Sequence, residues 1–346
     1  MSTTSLNGAA AQPTVKDVAA LAGVSPMTVS RTLAGGKNVR PEVQERVLEA
    51  VEALGYHRNE NARSIRPGQS TRLIGVAITN LGNPYYSSFA LGVEEVAAQF
   101  GCRIMLGNTD EDLGRERQLI ADFIGRQVEG LVLVPSTDDS AHLQPAVLRH
   151  TPLVLASRTV AGLDADSVVL DDVGGAYRGT KTLLEAGHTR IGYLGNVTSV
   201  FTGRRRFEGY AQALAEFGID VDPALVRRGQ QDVEAASAAM QQLLDLDDPP
   251  TAVFCANNRN SIGALKQIGT RLAAAAQSGL PLPPIVSFDD FELAEMMPVP
   301  VTVVDHDARE LGREAARILF ARLTGDDDSE QVRQIEMPTP VRVVRA

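Results

Sequence analysis

Cysteine is nearly absent: 346 residues hold only Cys102 and Cys255. Two thiols cannot build a disulfide framework, and each stands in an apolar, strand-like run, so both are expected as buried free thiols. Long apolar stretches are missing too. No run approaches the length of a membrane span, and the opening MSTTSLNGAAAQ lacks the basic and apolar regions of a secretory leader. No membrane partner is expected, and the cytoplasm is the expected compartment. The devices of common enzymes are also absent: there is no G-x-x-x-x-G-K phosphate loop, no G-x-G-x-x-G after the first strand, no H-E-x-x-H and no G-x-S-x-G elbow. Histidines at positions 57, 142, 150, 188 and 306 are scattered without metal spacing. The sequence therefore calls for no metal, no cofactor and no enzymatic activity.

Positive charge is in deficit, with a net of -10, but the deficit is uneven. Residues 1–66 hold eight Lys and Arg against six Asp and Glu, a surplus of +2, which leaves -12 on the remainder. Only the first segment suits a phosphate backbone.

That segment contains TVKDVAALAGVSPMTVSRTLAGG, two short helical patterns separated by Gly23, Val24 and Ser25. Thr14 is placed to cap the first, with Asp17 reaching back, and Val18, Leu21 and Ala22 form its apolar face. Ser25 caps the second, Pro26 takes its first position, and Val29 and Leu33 lie on one side. Helices this short are marginal alone, so both must pack on a third. The run RPEVQERVLEAVEALG supplies it, with Val43, Val47, Val51 and Leu54 recurring at helical spacing and Gly55 as terminator. The unit reads as a helix-turn-helix whose second helix presents Thr28, Ser30 and Arg31 to a major groove. After it, NENARSIRPGQS carries about two turns of helix-tolerant residues, ended by Pro67 and Gly68, with Ile65 between basic groups. Such a segment suits ordering on DNA, with an apolar wedge in the minor groove.

From Arg72 the pattern alternates. RLIGVAI, RIMLGN, GLVLVP and PLVLAS read as buried strands between helices such as YYSSFALGVEEVAAQFG, and after SVVLDD a second series follows in RIGYLG, TAVFCAN and PIVSFDD. Two doubly wound units place ligand contacts at the carboxyl ends of their strands. There stand Asn83, Tyr85, Tyr86, Asp171, Arg206, Asn257, Asn258 and Asp289, groups suited to hydroxyls, with Tyr faces for a sugar ring or base.

VKDVAALAGVSPMTVSRTL, the ALGY that ends the third helix, and the NxxARSIR hinge resemble the lactose-repressor (LacI/GalR) family of bacterial transcription factors. The resemblance runs from Thr14 to the C-terminus. It implies an α/β protein with an N-terminal helix-turn-helix head and two doubly wound subdomains of periplasmic-binding-protein type. It also implies a homodimeric repressor of pseudo-palindromic operator DNA, switched by a small polar effector such as a sugar. A nucleoside-responsive regulator, a sugar-binding protein whose head contacts protein, and a nucleoside or sugar enzyme are the rivals.

The family pattern places Pro26, Met27 and Arg31 at bases, Ser25, Thr28 and Ser30 near phosphates, and Ile65 at a wedge position usually held by Leu. Thr14, Asn38, Asn59, Ala62, Arg63 and Arg66 complete the DNA-facing set. The same pattern places effector contacts at Tyr86, Arg206, Asn257 and Asp289, with Ser157, Arg158, Thr202 and His306 joining the strand-end group. Asn258 replaces a common Asp, His306 a frequent Gln, and Ser157 the Asp of an Asp-Arg pair.

The expected divisions are a disordered 1–13, a head over 14–58, a hinge helix and linker over 59–70, and an effector-binding body over 71–346. Within the body, about 71–171 plus 303–327 and about 172–302 plus 328–346 form the subdomains. The helices YYSSFALGVEEVAAQFG and RERQLIADFIGRQ are expected at the dimer surface. The strand-like end PVRVVRA carries no heptad tail for tetramers.

Overall fold

The computed structural model describes residues 13–33, 35, 39–56, 70–279, 281–292, 294–325 and 331–345. The chain divides between Ser70 and Thr71 into two compact units.

The first unit holds α1 (Val15–Ala22), α2 (Pro26–Leu33) and α3 (Pro41–Leu54). Its helix boundaries follow from local chemistry. The Asp17 carboxylate accepts from the Thr14 N–H at 2.7 Å and the Thr14 hydroxyl accepts from the Asp17 N–H at 3.4 Å, a closed capping box. Gly23 ends α1 at φ 65°, which an L side chain would resist. The Ser25 hydroxyl accepts from the Thr28 N–H at 3.2 Å and starts α2. Val18, Val29 and Val47 are fully buried at the centre, with Ala19, Ala22 and Ala50 around them. Leu21, expected on this face, is 56% exposed. The buried arc of α1 runs through Val18, Ala22 and Ala19, and at 100° per residue Leu21 falls beyond its edge.

The second unit contains two six-stranded sheets. The first takes β1 (Leu73–Ile78), β2 (Arg103–Asn108), β3 (Gly130–Leu133), β4 (Leu153–Ala156), β5 (Asp166–Leu170) and β11 (Gln334–Met337), in the order β11-β5-β4-β3-β1-β2. The second takes β6 (Ile191–Gly195), β7 (Val226–Arg228), β8 (Ala252–Cys255), β9 (Ile285–Phe288), β10 (Val301–Val304) and β12 (Val341–Arg345), in the order β12-β10-β9-β8-β6-β7. All pairings are parallel except β10 with β12. β2 was expected to be buried, yet its residues are exposed or half-buried, because it is the sheet edge and has one neighbour. Two boundary expectations also shift. β10 lies wholly in the second sheet, and β11 closes the first sheet although 328–346 was assigned to the second subdomain.

Helices α4 (Pro84–Gln99) and α10 (Ala308–Thr324) pack together on the first sheet, and α6 (Asp172–Glu185) packs on α7 (Phe201–Glu216) beside the second. The α4–α10 crossing requires glycine from both sides. A Cβ on Gly92 would collide with the Arg309 carbonyl, and one on Gly312 with the Phe89 carbonyl. The remaining helices are α5 (Leu113–Gly125), α8 (Val233–Leu244) and α9 (Asn258–Ser278). Cys102 and Cys255 are free and buried, and burial pushes the Cys255 thiol up to about 12.

Between the sheets the chain crosses three times, at Asp171, at 305–307 and at 338–340. Hydrogen bonds tie these crossings together. The Asp171 N–H donates to the Met337 carbonyl at 2.9 Å, the Asp305 N–H to the Pro340 carbonyl at 2.7 Å, and the Thr339 hydroxyl to the Asp171 carbonyl at 2.9 Å.

Candidate functional site

The carboxyl ends of both sets of strands enclose a cavity of about 290 Å³. The first sheet contributes Asn83, Tyr85, Tyr86, Ser157 and Arg158 from the expected set. The second contributes Thr202, Arg206, Asn257 and Asp289. Thr79, Asn80, Glu111, Ser136, Thr137, Asn196, Ser199, Gln231 and Arg259 also line the wall and were not singled out from the sequence. Their common signal is position, since each follows a strand or sits in the first turn of the helix after it.

Helix caps aim several of these groups. Asn83 caps α4 by accepting from the Tyr85 N–H at 3.1 Å, and Asn257 caps α9 by accepting from the Asn260 N–H at 2.8 Å. Ser157 and Asp289 hold left-handed backbone, φ 62° and 74°, directly after β4 and β9. Non-glycine residues rarely adopt that conformation, and here it turns the chain into the cavity at both strand ends.

Arg206 is 7% exposed. Its Nε donates to Asp172 Oδ1 at 2.7 Å, its Nη1 to the Ala256 carbonyl at 2.7 Å, and its guanidinium lies 3.7 Å above the Phe288 ring. Asp289 Oδ1 stands 3.6 Å from the same Nη1. Burial works against charge on Arg206, but the two carboxylates outweigh it and keep the guanidinium protonated. Burial pushes the Asp172 carboxyl up, and Arg206 opposes that shift. Arg158 is clamped by Glu111 through two bonds of 2.6 and 2.7 Å and donates to the Pro135 carbonyl at 2.9 Å. Arg158, expected here, and Arg259, which was not, share the wall with Arg206. Burial also raises the phenols of Tyr85 and Tyr86, so both are hydrogen-bonding neutrals. The Tyr85 hydroxyl lies 3.2 Å from the Ser157 hydroxyl.

Three expected contacts lie elsewhere. Asp171 does not line the cavity: it caps α6 through the Gly174 N–H at 2.9 Å and pairs with Arg178 at 2.8 Å, so local bonds consume its oxygens. Asn258 exchanges amide bonds of 2.8 and 3.2 Å with Asn83 across the two sheets. Asn258 and His306 instead line a wider groove of about 1190 Å³ that shares Tyr85 and Asp289 with the cavity as a common wall. His306 Nε2 lies 3.4 Å from Asp289 Oδ1, and burial lowers its pKa despite that carboxylate.

On the head, Ser25, Pro26, Met27 and Arg31 are exposed and Thr28 and Ser30 half-buried. Met27 is 63% exposed and adds an apolar side chain to this face. The Ser25 and Thr28 hydroxyls share a 2.9 Å bond, and Thr14 is engaged by its capping box. Asn38, Asn59, Ala62, Arg63, Ile65 and Arg66 lie outside the described residues.

Comparison with known proteins matches both units. Residues 14–59 fit the bacterial regulatory proteins of the lacI family, and residues 71–343 fit the periplasmic binding proteins and sugar binding domain of the LacI family. The HTH-type transcriptional repressor CytR of Escherichia coli (strain K12) is 34% identical over 318 residues, covering 90% of each chain. The transcriptional regulator CelR in complex with cellobiose superposes with a TM-score of 0.69 at 29% identity, over 96% of this chain and 98% of that one. The Lac repressor dimer bound to operator and the anti-inducer ONPF gives 0.77 at 24% identity, over 96% and 99%, a likeness of fold.

Proposed function

Since the chain belongs to the LacI family of bacterial regulatory proteins and is a DNA-binding transcriptional regulator, we propose a homodimeric repressor whose hold on a pseudo-palindromic operator is set by a small polar effector in the cavity. The observation that carries this reading is the presence, in one chain, of an exposed Pro26–Met27–Arg31 face and an enclosed polar cavity built from two sheets. One head reads too few base pairs for useful specificity, so two heads act on two half-sites. Leu91 on α4 and Leu106 on β2 are 50% and 41% exposed, apolar area that a second subunit would cover. The effector favours one arrangement of the two sheets over another, and the three tied crossings are where that choice is expressed.

The cavity volume sits at the lower end of the range of about 300–1,000 Å³ for small-molecule sites, which favours a ligand the size of one sugar unit or a nucleoside over an oligosaccharide. The test is fluorescence anisotropy on an operator selected from random duplexes. Arg31→Ala is expected to weaken operator binding by about 1–3 kcal/mol while leaving effector-induced thermal shifts intact. Unchanged operator affinity would remove Arg31 from the interface.

A further inference from the structure

We propose that the effector carries an anionic group, a phosphate or carboxylate on a small hydroxylated metabolite, and that Arg259 selects that charge. The inference rests on the regulator reading above and names its ligand class. Three guanidinium groups line the cavity. Arg158 is neutralised by Glu111, and Arg206 lies between Asp172 and Asp289. The Arg259 side chain makes no hydrogen bond or ion pair with any described residue, and its Nε is buried without a partner.

Its place in the helix makes this arrangement more unfavourable. Arg259 is the second residue of α9, a helix of 21 residues with no acidic side chain in its first turn. The first turn of a helix carries positive partial charge, which disfavours a cation there, even though Asp289 and the Asn257 cap accept from the Asn258 and Asn260 N–H groups of this helix. A surface arginine escapes such repulsion by turning into water, but this one is half-buried on the cavity wall beside Gln231 and Asn257. The Asp289 carboxylate accepts from the Asn258 N–H at 3.3 Å at the start of this helix but does not pair with Arg259, so an anion arriving in the cavity takes the paired donors of the guanidinium that Asp289 leaves open. A neutral sugar would leave the guanidinium without an ionic partner.

Thermal unfolding and calorimetry of the full chain, at one ionic strength set with NaCl, test this. Millimolar inorganic phosphate is expected to raise the Tm of the parent above the NaCl control. Arg259→Gln is expected to weaken phosphate binding by at least about tenfold, and Arg259→Lys to recover part of it. Without added anion, Arg259→Gln keeps the parent Tm or exceeds it, because a repelled cation has been removed. Glucose 6-phosphate against glucose, and gluconate as the carboxylate arm, separate the two anion types. Phosphate acting no better than NaCl, stabilising parent and Arg259→Gln equally, or glucose binding as tightly as its phosphate would each overturn the proposal. Operator binding on the same preparations separates the two readings. A protein that binds operator and ignores phosphate leaves the regulator standing and sinks the anionic effector.

Discussion

The two sheets of the body share one strand order, and β4 and β9 occupy equivalent places in it, yet they secure charge on the cavity wall in different ways. After β4, Arg158 is held by Glu111, whose side chain is 32% exposed. Beside β9, Arg206 is held by Asp172, whose side chain is fully buried. A half-solvated carboxylate is replaceable, since water or a ligand oxygen takes its place at small cost. A buried one is not, because its loss strands a cation away from water. The comparison teaches that equal topology does not imply equal rigidity: the second sheet offers a fixed anchor, the first an exchangeable contact.

The sharpest way to break this contrast is to remove each carboxylate's charge. Asp172→Asn is expected to destabilise the protein by about 3–5 kcal/mol in chemical denaturation. Glu111→Gln should cost less, about 1–3 kcal/mol, because water can enter on the Glu111 side although Arg158 itself is buried. Equal losses would mean that the two pairs are alike and that exposure does not decide their worth.

A smaller effect is expected where the sheets touch. Asn83 and Asn258 exchange two amide bonds, so a double-mutant cycle with alanine should return a coupling of about 1 kcal/mol. Zero coupling would show that the amides are as well satisfied by water when the sheets separate.

The smallest effect concerns His306 and pH. Burial holds its folded pKa below 6.5, so between that value and 6.5 the unfolded chain binds a proton that the folded chain does not. Stability therefore rises with pH across that window and falls as pH drops below 6.5. In His306→Gln this part of the pH dependence should flatten; a mutant curve parallel to the parent's would assign the slope to other groups.

What the sequence disclosed is what short-range chemistry fixes. The starts and stops of α1 to α3 were legible because Thr14, Asp17, Gly23, Ser25 and Gly55 act on backbone within four residues. Most strands were legible as apolar runs, but β7, β10 and β11 escaped, the last because QIEM is a half-exposed edge with polar residues in alternate places. Strand-end placement found much of the cavity wall. It failed where a side chain has two possible partners. Asp171 is spent on its own helix and Asn258 on a residue far back in the chain. Glu111 has the right position after β2, but its pairing with Arg158 could not be read, because nothing in the intervening sequence links them.

The three crossings also set an order of manufacture. The chain leaves the first sheet at Asp171 and returns to cover it only with α10, whose Leu319 lies so close to Gly130 of β3 that a Cβ there would strike it. On the ribosome, β1 to β5 emerge first but keep part of one face uncovered until residues 308–324 follow, after all of the second sheet except β12 has been made. The lobe begun first is thus left open while nearly all of the second is made, and its exposed apolar face must be protected in the interval. A chain cut short after residue 305 loses a covering helix and an edge strand from its oldest lobe, but only an edge strand from its younger one.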